Sequence, residues 1–195
     1  MSVSTRISPK YSVEHWRALT LKTESDWEKA IEIFEDRIRG RFLDIIRGFE
    51  QRPFAGFAVL ALDCLLIETL QQFREGKSST PKRMGETYFV RFLTQTCFKS
   101  HFDASKAAMF YRQFRNGILH QAEVKGPSLV RRDTPNIVDL AKNGKGLILN
   151  RRLFHEKLVQ AFEEYIDAVR TDRNGSLRSR FQKKMNLICS AGETE

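Results

Sequence analysis

Arg115, Asn116 and His120 fall within the stretch F-R-N-G-I-L-H-Q, residues 114–121. These are side chains that can grip and cleave a phosphodiester. The planar donors of a guanidinium match a phosphate and the charge that grows on its oxygens during displacement. An imidazole, which ordinarily titrates near ~6.5, can take a proton from a ribose 2′-OH or return one to the leaving oxygen. Asn116 can orient the phosphate or a water. Arg115, Asn116 and His120 are therefore the candidate catalytic residues. Two structural readings stand beside this one. His120 can cap the C-terminal end of its helix, and an Arg and a His five apart recur by chance in an arginine-rich chain.

On a helical wheel, Phe110, Phe114 and Ile118 share one face with Ala107 and Tyr111, which marks the core side. Arg112, Arg115, Asn116 and His120 lie on the opposite arc. That arc also carries Ala108, Met109 and Leu119, which suggests a second covered surface such as a symmetric partner. Arg112, with Asp63 and Glu68 from a neighbouring helix, are the supporting candidates. Either carboxylate can orient Arg115 or His120, or form a buried ion pair made only for packing. Buried carboxylates need partners in both cases. His101 and His155 have no sequence partner and are read as surface residues.

Charge points to an anionic partner. The chain has 33 Lys+Arg against 24 Asp+Glu, a net charge of +9. Residues 1–50 balance at nine basic and nine acidic, whereas residues 51–135 carry thirteen against seven. Arg131, Arg132, Lys183 and Lys184 are candidate RNA contacts, with solvated charge as the plain alternative. No disulfide framework or zinc pattern is formed by Cys64, Cys97 and Cys189. No metal constellation and no phosphate loop stand out, so no cofactor is expected. The first residues lack an apolar signal core, and the run 57–70 is interrupted by Asp63 and Glu68. The expectation is a soluble cytoplasmic protein without a membrane span.

The elements that must position the site read as mainly α, with 41% hydrophobic residues and 15 phenylalanines to build a core. Ser25 and Glu28 form a capping box before Trp27, Ile31, Phe34, Ile38, Phe42, Ile45 and Phe49, one face of a long helix ending before Pro53. A nearly all-apolar helix follows from 54 to 74. A third helix spans 82–99, and a fourth starts at Asp103 as N-cap. Short strands are expected at 128–132, 136–140 and 146–150, with Asn143-Gly144 as a hairpin turn. A long helix resumes after Asn150, and Asn174-Gly175 breaks it before a last basic helix. The expected fold is an up-and-down helical bundle of about five to six helices with a small β-hairpin insertion around 128–150. Its divisions are an irregular arm over 1–22, the bundle over 23–172 and a basic helix and tail over 173–195.

R-N-G-I-L-H resembles the signature of the HEPN superfamily, helical-bundle proteins abundant in prokaryotic defence and toxin–antitoxin systems. In that signature an Arg is followed by a polar residue, a short spacer and a His near a helix end. Arg115, Asn116 and His120 match in order, type and spacing. The resemblance implies a metal-independent endoribonuclease acting on RNA as a homodimer, with the two motifs meeting in one cleft and an antitoxin or defence partner nearby. It also allows a non-catalytic HEPN-like module that binds a nucleotide, RNA or a partner protein. The insertion at 128–150 is not part of the minimal bundle.

Overall fold

The computed structural model describes residues 5–173 and 175–190. Residues 1–4, Asn174 and residues 191–195 lie outside these, and with them parts of the predicted arm, break and tail. The described chain is mainly helical and carries one small mixed sheet.

The segment expected to be an irregular arm contains a short helix, α1 (Val13–Arg17), started by Ser12, whose backbone N–H donates to His15 Nδ1. The next helix, α2 (Glu24–Ile38), begins earlier than the expected Ser25 cap. Thr23 is the N-cap, and its hydroxyl accepts the Asp26 N–H at 3.1 Å. The Asp26 carboxylate in turn accepts from Thr20 and from the Leu21 N–H, which fixes the entry turn in that register.

A π turn, Arg39–Leu43, links α2 to α3 (Asp44–Phe49). It holds one residue more than an α turn, so every later position moves round the axis by about one residue. The expected inward positions Phe42, Ile45 and Phe49 are half-buried or exposed, while Leu43 and Ile46 are buried instead.

Helix α4 (Gly56–Glu75) is long and apolar enough to cross a membrane by length and composition alone. Half of its most apolar stretch is nevertheless covered by protein, with Leu60, Leu66, Ile67 and Leu70 fully buried. That burial suits the core helix of a mainly helical fold.

After α5 (Gly85–Gln95) and a 3₁₀ turn (Cys97–Ser100) comes α6 (Ala104–Phe110). Asp103 caps α6 by accepting the Lys106 N–H at 2.8 Å, as its residue type and place predict. A second π turn, Tyr111–Arg115, leads into α7 (Asn116–Gln121). Helix α7 stops at Ala122, whose φ of 53° is left-handed. The chain then doubles back, with the Lys125 N–H donating to the Gln113 carbonyl at 2.9 Å. Gly117 is buried beneath that reversal, where a methyl group would overlap the Glu123 carbonyl oxygen. Only glycine admits the close approach.

The insertion is a three-stranded sheet of β1 (Leu129–Arg131), β2 (Val138–Leu140) and β3 (Leu147–Asn150), in the order β1-β3-β2. The hairpin is β2 with β3, antiparallel with Val138 opposite Leu149, and Gly144 takes φ +67° in its turn. The first predicted strand adds parallel to β3 on the other edge, Leu129 opposite Ile148. Side chains pin it there. The Leu147 N–H donates to Ser128 Oγ at 2.9 Å, and Asn150 Nδ2 donates to the carbonyls of Arg132 and Thr134 at 3.2 and 2.6 Å. The long helix α8 (Arg151–Thr171) and the C-terminal α9 (Ser176–Ser190) complete the order.

By contacts the chain forms two compact units. The first takes Met1–Ile45, Gln72–Ser79 and Glu163–Glu195. Its aromatic core packs Phe34 against Phe73 at 4.4 Å and edge-on to Phe181 at 5.3 Å. In the same unit Arg178, only 3% exposed, forms a two-fold hydrogen-bonded pair with Glu24 and lies 4.7 Å over Trp27. The second unit takes Ile46–Gln71 and Thr80–Phe162. Phe110 stacks there on Phe114 and Phe154 at 5.3 and 5.0 Å. Phe110 and Phe114 tie α6 and the π turn into this core, next to the candidate site.

Candidate functional site

The second unit brings the motif residues together. Arg115 ends the π turn, and its Nη1 donates to Asn116 Oδ1 at 3.2 Å and reaches His120 Nε2 at 3.4 Å. Its Nη2 donates to Glu68 Oε2 on α4 at 3.2 Å. The other Glu68 oxygen accepts from Thr80 Oγ1 at 2.6 Å. The Tyr111 ring lies 5.5 Å from the guanidinium carbon. A chain of contacts therefore runs Thr80, Glu68, Arg115, then Asn116 and His120. Arg115 and Glu68 side chains are each 19% exposed, so the pair is sheltered without being sealed. Arg115 Nε is buried and has no hydrogen-bond partner among the described residues.

The chemistry of this geometry is specific. A guanidinium only donates, so any hydrogen bond in the Arg115–His120 contact has the imidazole nitrogen as acceptor. His120 is exposed in the last turn of α7. His120 thus stands exposed beside the Arg115 guanidinium, where both side chains can reach one ligand. The π turn adds to this, since such turns are frequent at functional sites. On a regular helix Arg115 and His120, five residues apart, point about 140° from each other. The long arginine side chain spans that arc, and Glu68 holds its far end.

No protein-family model, curated protein or solved structure matches this chain.

The remaining sequence candidates are placed elsewhere. Asp63 is fully buried and pairs with His155, Oδ1 to Nδ1 at 2.8 Å, not with Arg115 or His120. Burial pushes the Asp63 carboxyl up, against the opposing pull of His155. His155 is thus a core residue at 8% exposure, contrary to its reading as a surface residue. His101 is half-buried, and burial first, then Lys157 and Lys106, depress its pKa.

Arg112 turns away to Glu86, with Nε and Nη2 each donating at 2.7 Å. Arg131 pairs with Asp133 at 3.3 Å, and Arg132 Nη2 donates to Gln51 at 2.9 Å; both remain exposed. Lys183 is exposed, but Lys184 is only 6% exposed and gives its ammonium to Gln72 and the Ser78 carbonyl. A lysine held in that way is not available to a phosphate backbone. Among the described residues no group of three His, Cys, Asp or Glu side chains is placed to hold a metal ion.

Thr80 and Tyr111 belong to the site and were not among the residues singled out from sequence. Tyr111 carried a weak signal, four residues before Arg115 on a helix. Thr80 sits in a Gly/Ser/Pro-rich linker whose composition announces only a break.

Proposed function

We propose that the chain is a HEPN-type, metal-independent endoribonuclease, working as a homodimer in a toxin–antitoxin or defence setting. The observation that carries this is the convergence of Arg115, Asn116 and His120 within 3.2–3.4 Å, with Glu68 holding the arginine. In the proposed reaction His120 takes the proton of a ribose 2′-OH. The 2′-oxygen forms a bond to the adjacent phosphorus, and the bond from phosphorus to the 5′-oxygen breaks. Arg115 stabilises the charge on the non-bridging oxygens, and Asn116 positions the phosphate. The leaving oxygen takes a proton, from a second His120 in a shared cleft. The half-buried Ala108, Met109 and Leu119, with Leu65 at 43% exposure on α4, offer apolar area that a second copy would cover.

One observation favours a second reading. Glu68 already neutralises Arg115, as in a site kept for binding a nucleotide, RNA or protein without cleavage. Product analysis separates the two. The proposed chemistry leaves a 2′,3′-cyclic phosphate and a 5′-hydroxyl, and spares any linkage whose ribose lacks the 2′-OH. Cleavage of a 2′-deoxy linkage would exclude the mechanism. Saturable RNA binding without breakdown would establish the binding module instead.

A further inference from the structure

The second unit also contains a cleft of about 570 Å³, lined by Phe54, Gly56 and Phe57, by Val130–Asp133 and by Arg151. None of Arg115, Asn116, His120 or Glu68 lines it. We propose that this cleft is a separate nucleotide-binding site, with the phosphate held by Arg151 and Arg132 and the base stacked on Phe54.

Arg151 is the centre of the case. It is 8% exposed, yet its Nη1 has no hydrogen-bond partner among the described residues. Its Nη2 reaches only the Glu50 carbonyl, at 3.4 Å. A buried guanidinium without a carboxylate is costly, and an anion entering the cleft would satisfy it. Burial depresses the Arg151 pKa and the charge of nearby Arg132 adds to this, against a smaller opposing pull from Glu50. Arg132 itself has only the neutral Gln51 as its side-chain partner. The one acid of the cleft, Asp133, is taken by Arg131 at 3.3 Å and its side chain is 73% exposed. Two cations thus face the cleft with no carboxylate among the described residues hydrogen-bonded to either. That arrangement fits a phosphate, whose oxygens accept the planar donors of arginine.

Phe54 supplies the second half of the recognition. Its ring is 102% exposed, on a backbone with φ +63°, a conformation a bulky residue rarely adopts. Nothing in the fold rewards that exposure, whereas an aromatic face at the mouth of a cationic cleft suits a base. Gly56 keeps the floor open. A side chain there would crowd Val130 Cγ1 at 3.2 Å and Arg151 Cδ at 3.3 Å. The cleft volume lies within the range of small-ligand sites, about 300–1,000 Å³. The first amides of α8 are not the anion donors, because Asn150 Oδ1 already accepts from Arg152 and Leu153 N–H.

The shared chemistry is a nucleoside phosphate, free or within an RNA strand. Calorimetric titration of the whole chain with AMP, adenosine, inorganic phosphate and a short single-stranded RNA tests it. AMP should bind saturably, and adenosine and phosphate alone about tenfold more weakly. Phe54→Ala and Arg132→Gln, both at exposed positions, should each weaken AMP about fivefold or more with an unchanged melting temperature. Arg151→Lys should weaken it further. RNA that displaces AMP identifies a strand as the source; RNA that does not identifies the free nucleotide. Absence of saturable binding by both AMP and RNA, or equal affinity in wild type, Phe54→Ala and Arg132→Gln, overturns the proposal.

Discussion

Arg115 carries five N–H donors, and its described contacts engage Asn116, His120 and Glu68. What it can do for a phosphate depends on Glu68 keeping the fork in place. Glu68→Gln preserves the shape and a hydrogen bond to Thr80 but removes the charge. We expect RNA cleavage to fall by about tenfold to a hundredfold with little change in melting temperature, measured as single-turnover rates. Asp63 tests the boundary of the site. Asp63→Ala leaves His155 Nδ1 buried without its partner and should destabilise the fold by about 1–3 kcal/mol. Cleavage per folded molecule should stay the same, since Asp63 touches His155 and not the motif. A large loss of rate in folded Asp63→Ala would return Asp63 to the site. The motif residues were legible because they lie on one short helical stretch. Glu68 was legible as a carboxylate able to orient Arg115 or His120, but so was Asp63, and which of the two meets the motif depends on the phase between two helices. Thr80 gave no local signal.

At the scale of elements, the misread positions trace to the π turns and to side-chain locks. Periodicity assumes a uniform helix, and Arg39–Leu43 breaks that assumption, so Leu43 and Ile46 replace Phe42 and Ile45 in the core. The Thr23 cap was hidden because Ser25 and Glu28 offer the same pattern two residues on. Asp26, bound by Thr20 and Leu21, decides between them. The strands were visible in their apolar runs, but the parallel edge of β1 depends on Ser128 and Asn150, whose bonds no local pattern reports. Gly117 is a requirement of the chain reversal after it. Gly117→Ala should destabilise the protein by about 1–3 kcal/mol through overpacking against the 123–125 backbone. It should also cut activity by moving His120, three residues on. A variant as stable and active as wild type would show that the reversal is not tight.

Across the whole molecule, the net charge of +9 overstates what a polyanion can reach. Arg178 and Lys184 are buried and held by protein groups, and Arg112 is paired with Glu86. The folded state nonetheless depends on its acids. Hydrogen bonds from Arg178, Thr20 and Lys29 hold Glu24, Asp26 and Glu32 below their usual pKa, and Arg112 does the same for Glu86. A carboxyl depressed in the folded state stabilises it above the unfolded pKa, near ~4, and loses that contribution as pH falls through the folded value. Asp63, raised by burial, runs the other way. With four depressed and one raised, the melting temperature should fall below about pH 4, and only modestly, because the four depressed carboxylates are exposed or half-buried and solvent screens their pairs. Glu24→Gln should flatten part of that drop, and an unchanged acid slope in this variant would remove Glu24 from the account.

The Arg115–His120 site is tested most directly by incubating single-stranded RNA in EDTA with wild type, His120→Ala and Arg115→Lys, matched by melting temperature. Wild type should cleave, and His120→Ala should be slower by about 10²- to 10⁴-fold. Arg115→Lys should retain the charge but lose most of the rate, because a point charge cannot replace the fork held by Glu68. Equal cleavage by wild type and His120→Ala, or no cleavage by either, would contradict the catalytic assignment.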